Sequence, residues 1–469
     1  MSSAPYRSRL SAFPGIPLFR RGVALLAVMV WLACAAVSLR PAAAGIFNPE
    51  SFTLANGLTV VVIVNDRLPV VSQMVWYKVG AADDPPGKSG LAHFLEHLMF
   101  RGTGEIAPGE FSRIVSRNGG VDNAFTSADT TAYYQNVAAD RLELVMKLES
   151  DRMANLALDE KEVLPERQVI IEERRSRTDN NPGSLLREQV NAALYLNHPY
   201  RIPIIGWRHE IEGLTRDDAI AFYKRHYSPS NAILIVTGDV TAAKVRELAE
   251  KYYGPIPSHQ VPARVRQQEP PQIAARRVTL ESERVREPRV SRSYLAPSYT
   301  TGAKQHAYAL QVLDKILSGG ATSRFYSTLV VKEEQAVSVW TSYDVNNYDW
   351  GSFSVGGQPR GDVSVSTLEL AIDREIARLL KEGVTAAELQ HAKTQLIAQS
   401  VYARDSLRQG AQVIGTALTT GRTIADAEAW PERIEAVTLE QVNAAARHVF
   451  DITQSVTGIL LPANVEKRS

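Results

Sequence analysis

The chain has 469 residues, 45% hydrophobic and 22% charged, an ordinary globular composition with length for two or three domains. Its formal charge of +1 gives no basic field, and no basic stretch is interleaved with aromatics, which sets nucleic acid aside as a partner. The single cysteine, Cys34, excludes a disulfide framework, so stability must come from packing.

Residues 1–44 read as a signal peptide. Arg7, Arg9, Arg20 and Arg21 precede an apolar run from Val23 to Leu39, and Ala42-Ala43-Ala44 follows before Gly45. A permanent span takes about 20 apolar residues, and this run is shorter, so the expectation is a periplasmic protein with no stable membrane span after cleavage. A lipoprotein form acylated on Cys34 has Trp31 where an aliphatic residue belongs, three positions upstream. The leader holds five Arg and no acid, so residues 45–469 carry 47 basic against 51 acidic side chains, a formal −4.

Beyond the leader, Ser51 to Val64 reads as two β segments around the Asn56-Gly57 turn, and Val70 to Val79 continues the strand pattern. From Ser89 to Phe100 the apolar spacing becomes helical. Asp140 to Leu156 and Asp159 to Arg175 also read as helices, each opening near an acid suited to a helix N-terminus. An internal echo follows. Ile211 to Thr215, Arg225-His226 and Val236-Thr237-Gly238 recur as Ile434 to Thr438, Arg447-His448 and Val456-Thr457-Gly458, at offsets of 220 to 223 residues. The expected fold class is α+β, with two homologous α/β-sandwich domains at 45–253 and 276–469. The segment 254–275, with five prolines, is the expected linker.

The chemistry concentrates in Gly90 to Phe100. His93 and His97 are one helical turn apart and can share one ion, and Glu96 lies beside them, placed to exchange a proton with a bound water. A buried polar cluster is the alternative, but two imidazoles and a carboxylate among Leu, Met and Phe are costly without a cation. Catalytic zinc needs a third donor. Glu166 and Glu173, seven residues apart on one helical face, offer it, although by periodicity the stretch Pro165 to Arg175 reads equally well as a solvated charged face.

The H-x-x-E-H helix resembles that of the inverzincins, and GLAHFLEHLMFRGT resembles the pitrilysin (M16) family, in its bacterial short-chain branch similar to the mitochondrial processing peptidase. The resemblance implies a zinc-dependent endopeptidase with one zinc per chain, held by His93, His97 and Glu173, with Glu96 as base and Glu166 supporting the site. It implies two α+β domains per chain, half of a clam-like chamber of four. Gly120 to Tyr134 resembles the family's substrate-binding edge strand, which would hold an extended peptide substrate beside Asn123, Ala124, Phe125 and Thr126.

One departure stands out. Active relatives carry an Arg and a Tyr seven residues apart in the second half, where they bind substrate and the developing oxyanion. Val330 and Val337 fill those places here. The expected partner is therefore a homologous chain that lacks the zinc motif and supplies the Arg and Tyr. A homodimer using Arg324 or Tyr326 instead is the second form, and a non-catalytic peptide-binding subunit is the alternative function.

Overall fold

β-branched runs build the first sheet of this computed structural model, which describes residues 45–463; the leader expected at 1–44 lies outside the described residues. The strands are β1 (Glu50–Thr53), β2 (Thr59–Val64), β3 (Val70–Tyr77), β4 (Val121–Thr126), β5 (Thr131–Ala138) and β6 (Ala232–Gly238), in the order β1-β2-β6-β3-β5-β4. β2 and β6 are parallel, and the other pairs are antiparallel. A second sheet comprises β7 (Arg276–Ser282), β8 (Arg289–Ala296), β9 (Ala336–Asp344), β10 (Gly351–Pro359) and β11 (Ser455–Pro462), in the order β7-β11-β8-β10-β9. Without β1 the two orders are the same, down to the single parallel pair, β2 with β6 and β7 with β11.

The sequence echo falls on equivalent units. Thr215 and Thr438 each close a capping box, opening the helices Arg216–His226 and Leu439–Val449, which lead into β6 and β11. A side-chain oxygen that satisfies an orphan N–H at the helix start explains why the repeated motif ends in threonine.

Both faces of the first sheet are covered, and the strand period of two sorts the side chains. Val60, Val62, Val71, Val75, Leu234 and Val236 enter one core, beneath the helix α1 (Leu91–Leu98). Val61, Ile63, Met74, Trp76, Ile233 and Ile235 enter another. That second core is closed by Ala411, Ile414 and Ala417, which belong to a helix of the second half. The reverse exchange uses Leu186, Val190 and Leu194, one stripe of a first-half helix, packed on Val456 and Leu460 of β11. Each half thus lends a helix to the other's sheet.

The proline-rich segment runs without regular structure from residue 257 to 275, and its arginines strap it down. Arg266 pairs with Asp83 and Asp129, while Arg264 donates to the Asp129 and Thr419 carbonyls at 2.8 and 3.0 Å. Among the described residues, no helix is long and apolar enough to cross a membrane.

The predicted helix at 89–100 is shorter in fact, because Gly90 is left-handed, with φ of 85°, and the helix begins after it. A Cβ on Gly90 would meet the Ile205 carbonyl at 2.5 Å, and one on Gly206 would meet the Ser89 carbonyl at 2.4 Å. Glycine at both positions lets the two backbones touch.

The helix Gln409–Thr419 has an equally tight contact, since a Cβ on Gly415 would lie 2.1 Å from the buried Trp76 indole. Gly415→Ala is therefore expected to destabilise the chain by about 1–3 kcal/mol through overpacking, read as a lowered midpoint in thermal unfolding. An unchanged midpoint would mean that the shared core yields at no cost.

Candidate metal centre

The site begins with the amphipathic helix α1. Leu91, Ala92, Phe94, Leu95 and Leu98 are buried in the core, which turns His93 and His97 toward the other face. Asp84 fixes the start of the helix by accepting from the Gly90 and Ala92 amides, both at 2.8 Å. A second helix, α2 (Glu160–Arg174), is capped by Asp159 and buries Val163, Ile170 and Ile171. Glu166 and Glu173 come off the side of α2 that meets α1, whereas Glu172 is exposed and pairs with Arg175.

His93, His97 and Glu173 form a group whose donor atoms all lie within 4.8 Å of one another. Glu173 Oε2 is 3.4 Å from His97 Nε2 and 3.7 Å from His93 Nε2, with side-chain exposures of 15, 23 and 12% respectively. Zinc bonds of roughly 2.0–2.2 Å at tetrahedral angles separate donors by about 3.3–3.6 Å. The Glu173–His97 separation falls in that range and the Glu173–His93 separation lies just beyond it, and the chemistry of two imidazoles and a carboxylate suits such an ion. Glu173 Oε2 is buried and has no hydrogen-bond partner, so a cation would complete it.

The surrounding groups set the orientation of these donors. Glu166 Oε1 lies 2.7 Å from His97 Nδ1 and its other oxygen pairs with Arg101, so the ring's Nε2 is left toward Glu173. Arg177 holds Glu173 Oε1 at 2.6 Å, one turn along, where α2 widens into a π-helical turn at Arg175–Asp179. The sequence reading missed Arg101 and Arg177. Both stand four residues beyond a donor, so helical spacing was the available signal.

Glu96 is 8% exposed, on the same helix. Burial pushes its carboxyl above the ordinary range, against a hydroxyl hydrogen bond from Thr126. Burial and the neighbouring His97 push His93 down to about 4. For His97 the burial effect is outweighed by the Glu166 hydrogen bond and the nearby Glu173 carboxylate, which lift it to about 9.

β4 is the free edge of the first sheet, as the sequence predicts for the stretch after Gly120. Asn123 is exposed and accepts from the Ala124 amide at 2.8 Å, while Ala124 and Phe125 are half-buried. Thr126 instead donates its hydroxyl to Glu96 Oε2 at 2.5 Å. Beyond Phe125 opens a cavity of about 520 Å³, lined by Trp76, Thr178, Arg187, Tyr200 and Asp344 among others.

In the second half, Val330 is buried in the core and Val337 is exposed on β9. Arg324 does not stand free. Its guanidinium grips Glu388 at 2.8 and 2.7 Å and the Gly383 carbonyl at 3.0 Å. Tyr326 is 37% exposed.

A chain of two repeated α+β sandwiches with a His/His/Glu group beside a free sheet edge has clear counterparts. Residues 60–207 match the family described as Insulinase (Peptidase family M16), and residues 213–396 match the Peptidase M16 inactive domain. The zinc protease PqqE of Helicobacter pylori is 36% identical over 349 residues, covering 73% of this chain and 77% of that one. The crystal structure of a protease from Helicobacter pylori superposes with a TM-score of 0.83 at 32% identity, covering 88% of this chain and 99% of its own. The periplasmic protease PqqL of Escherichia coli shares the fold at 18% identity and a TM-score of 0.76, the match covering 89% of this chain and 48% of PqqL. The chain belongs to peptidase family M16.

The clamp on His97 predicts its own effect. Glu166→Gln is expected to lower Zn²⁺ affinity by about 10- to 100-fold, the usual cost of losing a carboxylate behind a metal-binding imidazole. Competition with a chromophoric chelator measures it, and an unchanged affinity would show that the ring is oriented by something else.

Proposed function

We propose that the chain is a zinc-dependent endopeptidase that cuts extended, unfolded peptides, with one zinc per chain held by His93, His97 and Glu173. The observation that carries this reading is the donor group itself, with Glu96 on the same helix and the free edge of β4 alongside. The zinc-protease name of a relative 36% identical supports it. When bound, the ion supplies Lewis acidity toward a carbonyl and makes a bound water more acidic. Glu96 takes the proton of the attacking water and passes it to the departing amine, and its raised pKa suits a group that must do both. Glu166 holds the His97 ring. Asn123, Ala124 and Phe125 lie along the edge on which a peptide would add as a further strand.

The two-domain division at 45–253 and 276–469, with the linker at 254–275, is part of this proposal, as is export by the leader to the periplasm. So is a second chain. The fold matches about half of PqqL, and Val330 and Val337 can neither donate a hydrogen bond nor carry charge, so a homologous chain that supplies an Arg and a Tyr would complete the enclosure. A weakly active peptide-binding subunit is the competing reading, favoured by the same two valines.

His93→Ala or His97→Ala is expected to abolish zinc binding, whereas Glu96→Gln should keep the metal and lower turnover by a factor of about 10² or more. Metal analysis and peptide hydrolysis on the same samples check this. Full zinc in either histidine variant, or normal rates in Glu96→Gln, contradicts the assignment.

Loss of one oxyanion donor costs about 10² to 10³ in rate, so the isolated chain should be nearly inactive beside a mixture with its homologous partner. Equal rates for chain and mixture, at concentrations spanning self-association, would remove the division of labour.

A further inference from the structure

Thr126 closes β4, the strand whose outer edge is open, and the sequence pattern groups it with Asn123, Ala124 and Phe125 as a substrate contact. The structure gives its hydroxyl another task. A threonine hydroxyl has one hydrogen to donate, and here it goes to Glu96 Oε2 at 2.5 Å. Across the ladder Thr126 pairs with Thr131, whose Oγ1 lies 3.5 Å away. Thr131 is fully buried and donates to the Val79 carbonyl at 3.1 Å, so the neighbour that backs Thr126 is itself fixed.

Glu96 has no other hydrogen-bond partner among the described residues. Its side chain has three torsions and stands beside His97, with a neighbouring charge on Glu173 that repels it. A base that serves one reacting water must be kept from rotating away.

We propose that Thr126 is a positioning residue for Glu96: its hydroxyl holds Oε2 and leaves Oε1 as the oxygen available to a water. Thr126 is then not a donor to the peptide backbone, since its one hydrogen is committed. The inference rests on the reading of Glu96 as the base. It also means that one strand orients both reactants, with the substrate along the open edge of β4 and the base tied to its last residue.

Thr126→Val removes the hydroxyl and Thr126→Ser keeps it, so the pair separates the hydrogen bond from packing. In the zinc-loaded protein, alone or with whichever partner gives turnover, Thr126→Val is expected to lower kcat by about 10- to 100-fold, the scale of a misplaced catalytic group. KM and zinc content should stay within about threefold, and Thr126→Ser should recover most of kcat. A second readout needs no turnover: in a Glu96→Gln background, the Kd of a fluorescently labelled unstructured peptide should be the same with and without Thr126→Val. A raised KM with kcat unchanged, or weaker peptide binding in that background, would make Thr126 a substrate contact and overturn the proposal. Equal loss of kcat in the Val and Ser variants would reduce it to packing, again overturning it. If Glu96→Gln alone turns over as fast as the parent, the underlying reading of the base has failed, while the peptide Kd still decides whether Thr126 touches substrate.

Discussion

Glu173 Oε2 faces two imidazole nitrogens at 3.4 and 3.7 Å, buried and without a hydrogen-bond partner. An unpartnered carboxylate oxygen in a low-dielectric setting is expensive, and a fold keeps one beside two imidazoles only if other contacts hold each group in place. Those contacts are visible around the site. Glu166 and Arg101 grip His97, Arg177 takes the second oxygen of Glu173, and Asp84 fixes the end of the helix from which both histidines project. The close approach of Gly90 to Gly206 seats that helix end against the loop whose Gly206 carbonyl accepts from Arg174, the residue after Glu173. Each of these contacts restrains one donor or the helix that carries it.

The scaffold contributes by making the two halves depend on each other. Because the helix Gln409–Thr419 closes a core under β2, β3 and β6, and Pro182–Leu194 closes one over β11, neither sheet buries its full apolar surface alone. Trp76 connects this packing to the site, since its buried ring meets Gly415 on one side and the edge-strand residue Phe125, at 5.4 Å between ring centroids, on the other. A strained shared core would therefore reach Phe125 on β4 through a single ring contact.

Much of this was legible in the residues. The i, i+4 spacing of His93 and His97 and the two-turn spacing of Glu166 and Glu173 specify which side chains share a helix face, and the repeated Ile-Glu-x-x-Thr motif marks two equivalent helix starts. Periodicity says nothing about which helix meets which, so by itself it left Glu173 open between ligand and solvated charge. The contact between α1 and α2 brings Glu173 to the two histidines. Helix exchange between the halves was not readable either, because an apolar stripe such as Ala411, Ile414 and Ala417 looks the same whichever sheet it covers. Arg264 and Arg266 resemble solvated charges in a proline-rich run, and only their buried partners show that the segment is strapped down. The bond from Thr126 to Glu96 escaped for a similar reason: an edge-strand threonine is equally suited to facing a peptide.

The account stands on the convergence of three donors on one ion. The most direct measurement is anomalous diffraction at the zinc edge from crystals of the purified protein. One zinc within roughly 2.0–2.2 Å of His93 Nε2, His97 Nε2 and a Glu173 oxygen, with Glu96 outside the coordination shell, is the predicted result. Zinc coordinated by Glu166 or Glu172 instead, or the donor group holding its present arrangement with no ion after equilibration with zinc, would contradict it.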